Sequence, residues 1–262
     1  MGVVEATYAE IKQQELKKNP YSCLSTAAID VNPHQVEAFT FSLAAMKLGG
    51  AVLADEVGLG KTIEAGLVLK YLLNSGSQKI LLVMPSNLRK QWQVELDEKF
   101  EVESFIVESG KWDEYKSYVK NESAVVIVSY NFASRRKSEF AKVPWSFCVF
   151  DEAHRLRNVY KNGSKMAGNL YELTKGIPKL MLTATPMQNS LFDLYGLIQF
   201  IDKRIFYSKA VFSDRYIKNE QYEDLRHQVS TVLQRTLRKE VSDYIQFPER
   251  KEMTVDFELS LP

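Results

Sequence analysis

The hydrophobic positions of this chain gather in short continuous runs: Ala51 to Leu53, Ile80 to Met84, Phe105 to Val107, Val125 to Val128, Phe147 to Phe150 and Leu180 to Leu182. A run that is apolar at every position is buried on both faces, the mark of a parallel strand in a sheet covered by helices on each side. Six such strands are expected, separated by amphipathic segments such as Leu88 to Phe100 and Ser164 to Leu173. Ahead of them, Asn32-Pro33 opens a helix with Pro33 in its first turn and Val36, Phe39 and Leu43 at helical spacing; Gly49-Gly50 stops it. Residues 5 to 18 read as an exposed helix ending before Asn19-Pro20. After Thr185-Pro186 the spacing turns helical again, first in Leu191, Leu194, Ile198 and Ile201, then in Tyr222, Leu225, Val229, Leu233 and Leu237. The second stripe is expected to be a core-packing helical face. Beyond Pro248, Met253 to Leu259 alternates like a strand.

Composition narrows the class. Lys+Arg 34 against Asp+Glu 33 leaves a net charge of +1 over 262 residues, so no global field draws in nucleic acid and a binding face has to be local. Two cysteines, Cys23 and Cys148, the second inside an apolar run, fit reduced and buried thiols in an intracellular protein. No apolar run approaches the roughly 18 residues of a membrane span, and the N-terminus is polar. A soluble, cytoplasmic α/β protein with one large domain plus appendages is expected.

In an open parallel sheet, ligands gather at the carboxyl ends of the strands. After Ala51-Val52-Leu53 comes Ala54-Asp55-Glu56-Val57-Gly58-Leu59-Gly60-Lys61-Thr62, then a helical stretch from Ile63. Glycines in such a loop let backbone N–H groups close on phosphate oxygens, the lysine adds a point charge, and the threonine hydroxyl reaches Mg²⁺. Asp55 stands where the general G-x-x-x-x-G-K-[ST] pattern has its first glycine. After Phe147 to Phe150 comes Asp151-Glu152-Ala153-His154: an acid that can hold Mg²⁺ and a carboxylate that can activate water. Thr183 and Thr185 follow Leu182, and either bond a neighbouring acid, imidazole or phosphate or cap the next helix. Ser86, Asn87 and Arg89 follow Met84, and Ser129, Tyr130 and Asn131 follow Val128; such groups either contact nucleic-acid phosphates or cap helices. Arg155, Arg157, Lys161 and Lys165 fall within eleven residues lacking Asp and Glu, a basic patch or a solvated face. Gln35 either reads an adenine edge or is an exposed helical glutamine.

GLGKT at 58–62, DEAH at 151–154 and LTATP at 182–186 resemble, in that order, motifs of helicase superfamily two. More narrowly, ADEVGLGKTIEAG, MPSNLRKQW, DEAHRLRN and LTATPMQNSLFDLYGLIQFI resemble the Swi/Snf-like ATPases, especially the bacterial branch that includes the RNA-polymerase-recycling type. The resemblance covers about residues 30 to 250 and implies the following. The fold is a RecA-like P-loop NTPase lobe, a mostly parallel sheet with helices on both faces plus a C-terminal helical appendage. The domain plan is an N-terminal helical extension over 1–29, lobe 1 over 30–203, its appendage over 204–248, and over 249–262 the start of a connection to a second lobe. ATP and Mg²⁺ are the ligands. ATP is held by Gln35 and the loop Asp55, Glu56, Val57, Gly58, Leu59, Gly60, Lys61 and Thr62. Thr62 and Asp151 hold the metal, and Glu152 is the base. His154, Thr183, Thr185 and Gln188 couple nucleotide state to the nucleic-acid groove, which Ser86, Asn87, Arg89, Ser129, Tyr130, Arg155 and Asn158 face.

The function so implied is the ATP-binding lobe of a DNA-dependent ATPase that translocates on duplex DNA and remodels protein–DNA complexes. Its implied partners are a second RecA-like lobe and RNA polymerase or another DNA-bound protein, without a membrane. The arginine that such enzymes present across the cleft is not among these 262 residues, so the chain reads as a fragment with little turnover of its own. Two alternatives stand beside this reading. One is a strand-separating DEAH-type RNA or DNA helicase, against which MQNSLFDLYGLIQF stands because it resembles the Swi/Snf continuation; comparing ATPase stimulation by duplex DNA and by single-stranded RNA would separate the two. The other is a nucleotide-gated interaction module without significant turnover, against which the intact Lys61, Thr62, Asp151 and Glu152 argue.

Overall fold

The computed structural model describes residues 30–245. The helix expected over 5–18 and the strand expected over 253–259 lie outside the described residues. Seven strands form one sheet in the order β3-β4-β2-β5-β6-β1-β7. They are β1 Gly50–Leu53, β2 Lys79–Met84, β3 Phe105–Ile106, β4 Ala124–Ser129, β5 Phe147–Asp151, β6 Lys179–Leu182 and β7 Leu233–Gln234, and every pairing is parallel. The α-helices are α1 Pro33–Ala45, α2 Lys61–Asn74, α3 Arg89–Phe100, α4 Trp112–Tyr118, α5 Tyr130–Arg135, α6 Lys137–Phe140, α7 Lys165–Leu173, α8 Leu191–Ile201, α9 Lys209–Phe212 and α10 Tyr222–Val229.

The continuous apolar runs are explained by two cores. Side chains alternate across each strand, and here both faces are covered. Ala51, Leu53, Ile80, Leu82, Phe147, Val149, Leu180 and Leu182 pack with residues of α1, α2 and α3, including Phe39, Leu67 and Trp92. Val52, Leu81, Val83, Cys148, Phe150 and Met181 face the other way, towards Phe132, Phe140, Leu170 and Phe200. The chain after α8 joins this second core through Phe206, Phe212, Tyr216, Leu225 and Val229, with ring centroids of Phe206 and Phe212 4.8 Å apart and those of Tyr195 and Phe212 5.0 Å apart. Burial pushes the Cys148 thiol up to about 12.

One expectation is corrected. The apolar stripe from Tyr222 does not continue as helix to Leu237: α10 ends at Val229, and Leu233–Gln234 forms β7 beside Val52 and Leu53. The backbone accounts for this. The edge of β1 is buried, and its Val52 and Ala54 N–H groups find partners in Val232 O at 2.7 Å and Gln234 O at 2.8 Å. Buried backbone donors left unpaired cost more than a helical turn returns.

Strand order sets up the site. β6 lies between β1 and β5, with Leu182 paired to both Leu53 and Asp151. The loop after β1, the acids after β5 and the threonines after β6 therefore leave the sheet side by side at its carboxyl edge.

Candidate phosphate-binding site

The loop between β1 and α2 is shaped by its glycines and by what grips it. Gly60 precedes α2 in the left-handed conformation, and a Cβ there would lie 2.5 Å from Gln35 Nε2, so both backbone and space require glycine. On one side α1 holds the loop: His34 Nε2 lies 2.8 Å and Gln35 Nε2 3.2 Å from the Leu59 carbonyl oxygen. A carbonyl only accepts, so both nitrogens donate, which fixes the Nε2–H tautomer of His34. Gln35 Oε1 accepts from Asn32 N at 3.0 Å. Gln35 is buried, not an exposed helical residue as its type alone would favour. Inside the loop, Lys61 Nζ donates to the Asp55 and Glu56 carbonyls at 2.7 and 3.1 Å. Burial outweighs the surrounding carboxylates Glu64, Asp55, Asp151 and Glu152 and holds the ammonium below the usual lysine range.

Opposite the loop, Asp151 is held from three directions. Trp92 Nε1 donates to Oδ2 at 2.8 Å, Glu152 N–H donates to Oδ1 at 2.8 Å, and Tyr130 OH donates to the Asp151 carbonyl at 2.7 Å. Burial still pushes its carboxyl above the ordinary carboxylate range, ahead of those donors. Burial also pushes the Tyr130 phenol well up, so it stays a donor. Glu152 has φ 54° and ψ 46°, a left-handed conformation that costs a non-glycine residue roughly 1–2 kcal/mol and is typical of functional turns. Its Oε2 lies 3.1 Å from His154 Nδ1. Burial, and then Arg157 and Arg155 against the Glu152 charge, keep that imidazole neutral further into acid than usual.

These groups meet around a cavity of about 400 Å³ whose lining includes Val57, Gly58, Gly60, Lys61, Thr62, Asp151 and Glu152. Gln35, Asp55, Glu56 and Leu59 stand behind the loop. The Asp55 carboxylate turns away and accepts Thr236 N–H at 2.7 Å. Beside it Glu64 is fully buried, and burial and then the Asp55 charge raise its carboxyl well above the ordinary range. The set Thr62 and Asp151 is an oxygen-donor pair that suits a hard divalent cation completing its shell with phosphate and water oxygens.

Thr183 is buried, its N–H bonds the Leu53 carbonyl, and its hydroxyl accepts Thr185 N–H at 3.2 Å. Gln188 donates to Thr185 Oγ1 at 3.2 Å and accepts from Arg157 Nη1 at 2.6 Å. The turn after β6 is thereby tied to the turn after Asp151. Of the remaining candidates, Ser86, Asn87 and Arg155 are exposed. Arg89 is engaged by the Ser86 and Val107 carbonyls at 3.1 Å and by Glu108 at 3.4 Å. Ser129 caps α5, Tyr130 is buried under Asp151, and Asn158 buries an amide oxygen that has no hydrogen-bond partner among the described residues. The roles of Trp92, Arg157, Asp193 and Arg238 were not read from the sequence. Trp92 carried a signal: a buried indole N–H needs a polar partner.

The SNF2-related domain matches residues 34–261 of the chain. An uncharacterised ATP-dependent helicase, YqhH, of Bacillus subtilis is 33% identical over 238 residues, which span 87% of this chain and 40% of that protein. The RNA polymerase-associated protein RapA of Serratia proteamaculans is 29% identical, over 84% of this chain and 23% of its own length. The ISWI chromatin-remodeling complex ATPase ISW1 of Saccharomyces cerevisiae is 30% identical, over 82% and 20%. The chain thus spans two fifths or less of these relatives. The SWI2/SNF2 ATPase core of Sulfolobus solfataricus, solved in complex with dsDNA, shares the fold with a TM-score of 0.68 at 23% identity, over 80% of this chain and 45% of that one.

Proposed function

The chain belongs to the SNF2-related domain family, and from that premise we propose that it is the ATP-binding lobe of a DNA-dependent ATPase that moves along duplex DNA and remodels protein–DNA complexes. The observation that carries the reading is the meeting of Gly58, Gly60, Lys61 and Thr62 with Asp151 and Glu152 around one cavity. Backbone N–H groups of the loop and the N-terminus of α2 receive the phosphates of ATP. Lys61 exchanges the carbonyls of Asp55 and Glu56 for phosphate oxygens, which its flexible stem allows. Thr62 and Asp151 would hold Mg²⁺, which would supply positive charge to offset that of the phosphates. Glu152 takes the proton of the attacking water. Trp92 and the Glu152 N–H keep the Asp151 carboxylate aimed, while Tyr130 fixes its backbone. The bonds from Thr183 to Thr185 to Gln188 to Arg157 tie the turn after β6 to the turn after β5 that carries Arg155, and Ser86 and Asn87 follow the adjacent strand β2; on this reading DNA phosphates bind there without base readout. RNA polymerase is the displaced partner we favour, because RapA is associated with it and is among the relatives.

The test is calorimetric. The 262-residue chain binds ATP with Mg²⁺, and Lys61→Ala largely abolishes binding because it removes the mobile cation of the loop. In a longer chain that turns over, Glu152→Gln keeps ATP affinity and loses turnover by roughly 10² to 10⁴, since the amide accepts no proton. Unchanged ATP affinity in Lys61→Ala, or near-normal turnover in Glu152→Gln, refutes the assigned role.

A further inference from the structure

The phosphate loop is gripped on its second side by a segment some 180 residues away in sequence. From β7 onward the chain runs alongside the loop: Ala54 N–H donates to Gln234 O at 2.8 Å, Glu56 N–H to Thr236 O at 3.1 Å, and Thr236 N–H to Asp55 Oδ1 at 2.7 Å. At Arg238 the pattern changes from strand pairing to a clamp. Its backbone N–H donates to Glu56 Oε2 at 2.8 Å, while Nε and Nη2 converge on the Val57 carbonyl oxygen at 3.0 and 2.7 Å. The short helical turn Arg238–Glu240, closed by Leu237 N–H donating to Glu240 Oε2 at 2.8 Å, fixes the base of that side chain.

We propose that Arg238 is a positioning residue for the phosphate loop, setting through the Val57 carbonyl the direction in which the Gly58 amide faces the nucleotide. The peptide unit joining Val57 and Gly58 is planar and trans, so its C=O and N–H point in opposite directions. Holding the carbonyl against the guanidinium aims the Gly58 N–H away from Arg238, towards the cavity that Gly58 lines. The peptide needs holding. Val57 is 67% exposed, so burial does little to fix it, and Gly58, at φ 87°, has the widest conformational freedom of any residue type. A side chain at Gly58 would disturb the clamp, because the left-handed φ of 87° already favours glycine and a Cβ there would approach Arg238 Nη2 to 3.2 Å, pushing the guanidinium back by a few tenths of an ångström. A planar fork with several donors suits a single carbonyl better than an ammonium does. Asp55 and Glu56, which face Thr236 and Arg238, then serve the clamp rather than the phosphates. That accounts for a carboxylate where the general loop pattern has glycine.

The inference rests on the ATP-binding reading above, and the experiment separates the two. ATP affinity with Mg²⁺ is measured by calorimetry for the 262-residue chain, for Arg238→Ala, Arg238→Lys and Lys61→Ala, and for the neighbouring control Lys239→Ala, alongside the nucleotide-free melting temperature of each. Arg238→Ala is expected to weaken ATP binding about tenfold or more with a melting temperature within about 2 °C of wild type. Arg238→Lys is expected to fall between, and Lys239→Ala to bind as wild type. Millimolar guanidinium is expected to restore part of the affinity of Arg238→Ala and none of that of Lys61→Ala, a recovery that a loss of folding could not give. Wild-type affinity in Arg238→Ala overturns the inference and leaves the ATP reading intact. So does a loss matched by a fall in melting temperature and not relieved by guanidinium. If Arg238→Ala does not fold, wild-type affinity in Arg238→Lys decides against the inference. Failure of the wild-type chain to bind ATP overturns both.

Discussion

At the scale of single residues, Asp193 carries a pH-dependent share of the stability of the turn after β6. Its side chain is 95% buried, its Oδ2 accepts the N–H groups of Gln188 and Asn189 at 3.1 and 2.8 Å, and Arg157 Nε stands 3.7 Å from Oδ1. Burial works against the charge, but the N–H groups of Asn189 and Gln188 and the Arg157 cation prevail and hold the carboxyl below its ordinary value of 3.8. A folded value below the unfolded one means that the stabilisation is fully present above the unfolded value and is lost as pH falls through the folded one. Asp193→Asn is therefore expected to lower stability at pH 7 by about 1–3 kcal/mol. The gap should persist to about pH 5 and close as the pH drops below 3.8. Urea unfolding of both proteins across that range checks this, and a gap constant into the acid limit of the folded state would sink it. The same residue shows what residue type conceals. Asp193 sits among apolar neighbours in LFDLYGLIQFI, where its burial is legible but its backbone partners, four and five residues back, are not.

Among the elements, α8 is placed by one missing methyl group. Gly196 lies inside this helix, where glycine costs roughly 0.5–1 kcal/mol relative to alanine. Yet a Cβ there would lie 1.7 Å from the Arg157 carbonyl oxygen. Helix α8 thus rests directly on the backbone after Asp151-Glu152-Ala153-His154, at the point where Arg157 reaches Gln188. Gly196→Ala is expected to destabilise the fold by about 1–3 kcal/mol as helix and turn are forced apart, despite the gain in helix propensity. Equal or greater stability in chemical unfolding would contradict the contact. Helix α10 shows why boundaries at the C-terminal end escape a period count. Leu233 continues the spacing of Tyr222, Leu225 and Val229, but the unpaired edge of β1 recruits it as strand.

For the whole molecule, the arrangement places the phosphate loop and both acids on one sheet edge, so the cavity is built from one side. Its lining cations among the described residues are Lys61 and Lys99, and no arginine is among them. Charge developing on a transferred phosphoryl group is commonly met by an arginine from across the site, worth roughly 10³ to 10⁵ in rate. The chain also spans 40% or less of its curated relatives. Residues 1–262 alone are therefore expected to release phosphate slowly and with little response to duplex DNA, whereas a chain of the length of those relatives is expected to release it faster and to be stimulated by duplex DNA. Steady-state phosphate release from each, with and without duplex DNA, checks this, and robust DNA-stimulated turnover by the short chain would mean that its site is already complete. The sequence by itself determined the layered α/β architecture, because strands buried on both faces must read as unbroken apolar runs. It also determined the loop and the acids, because glycine backbones and adjacent carboxylates at strand ends have few other uses. Only the tertiary structure decided that Gln35 and Asp55 face protein rather than the cavity, that Trp92 and Tyr130 hold Asp151, and that Arg238 clamps Val57. Each of these pairings joins residues on separate elements through directional hydrogen bonds. Spacing along one element encodes which face a residue shares, not which distant donor comes to meet it.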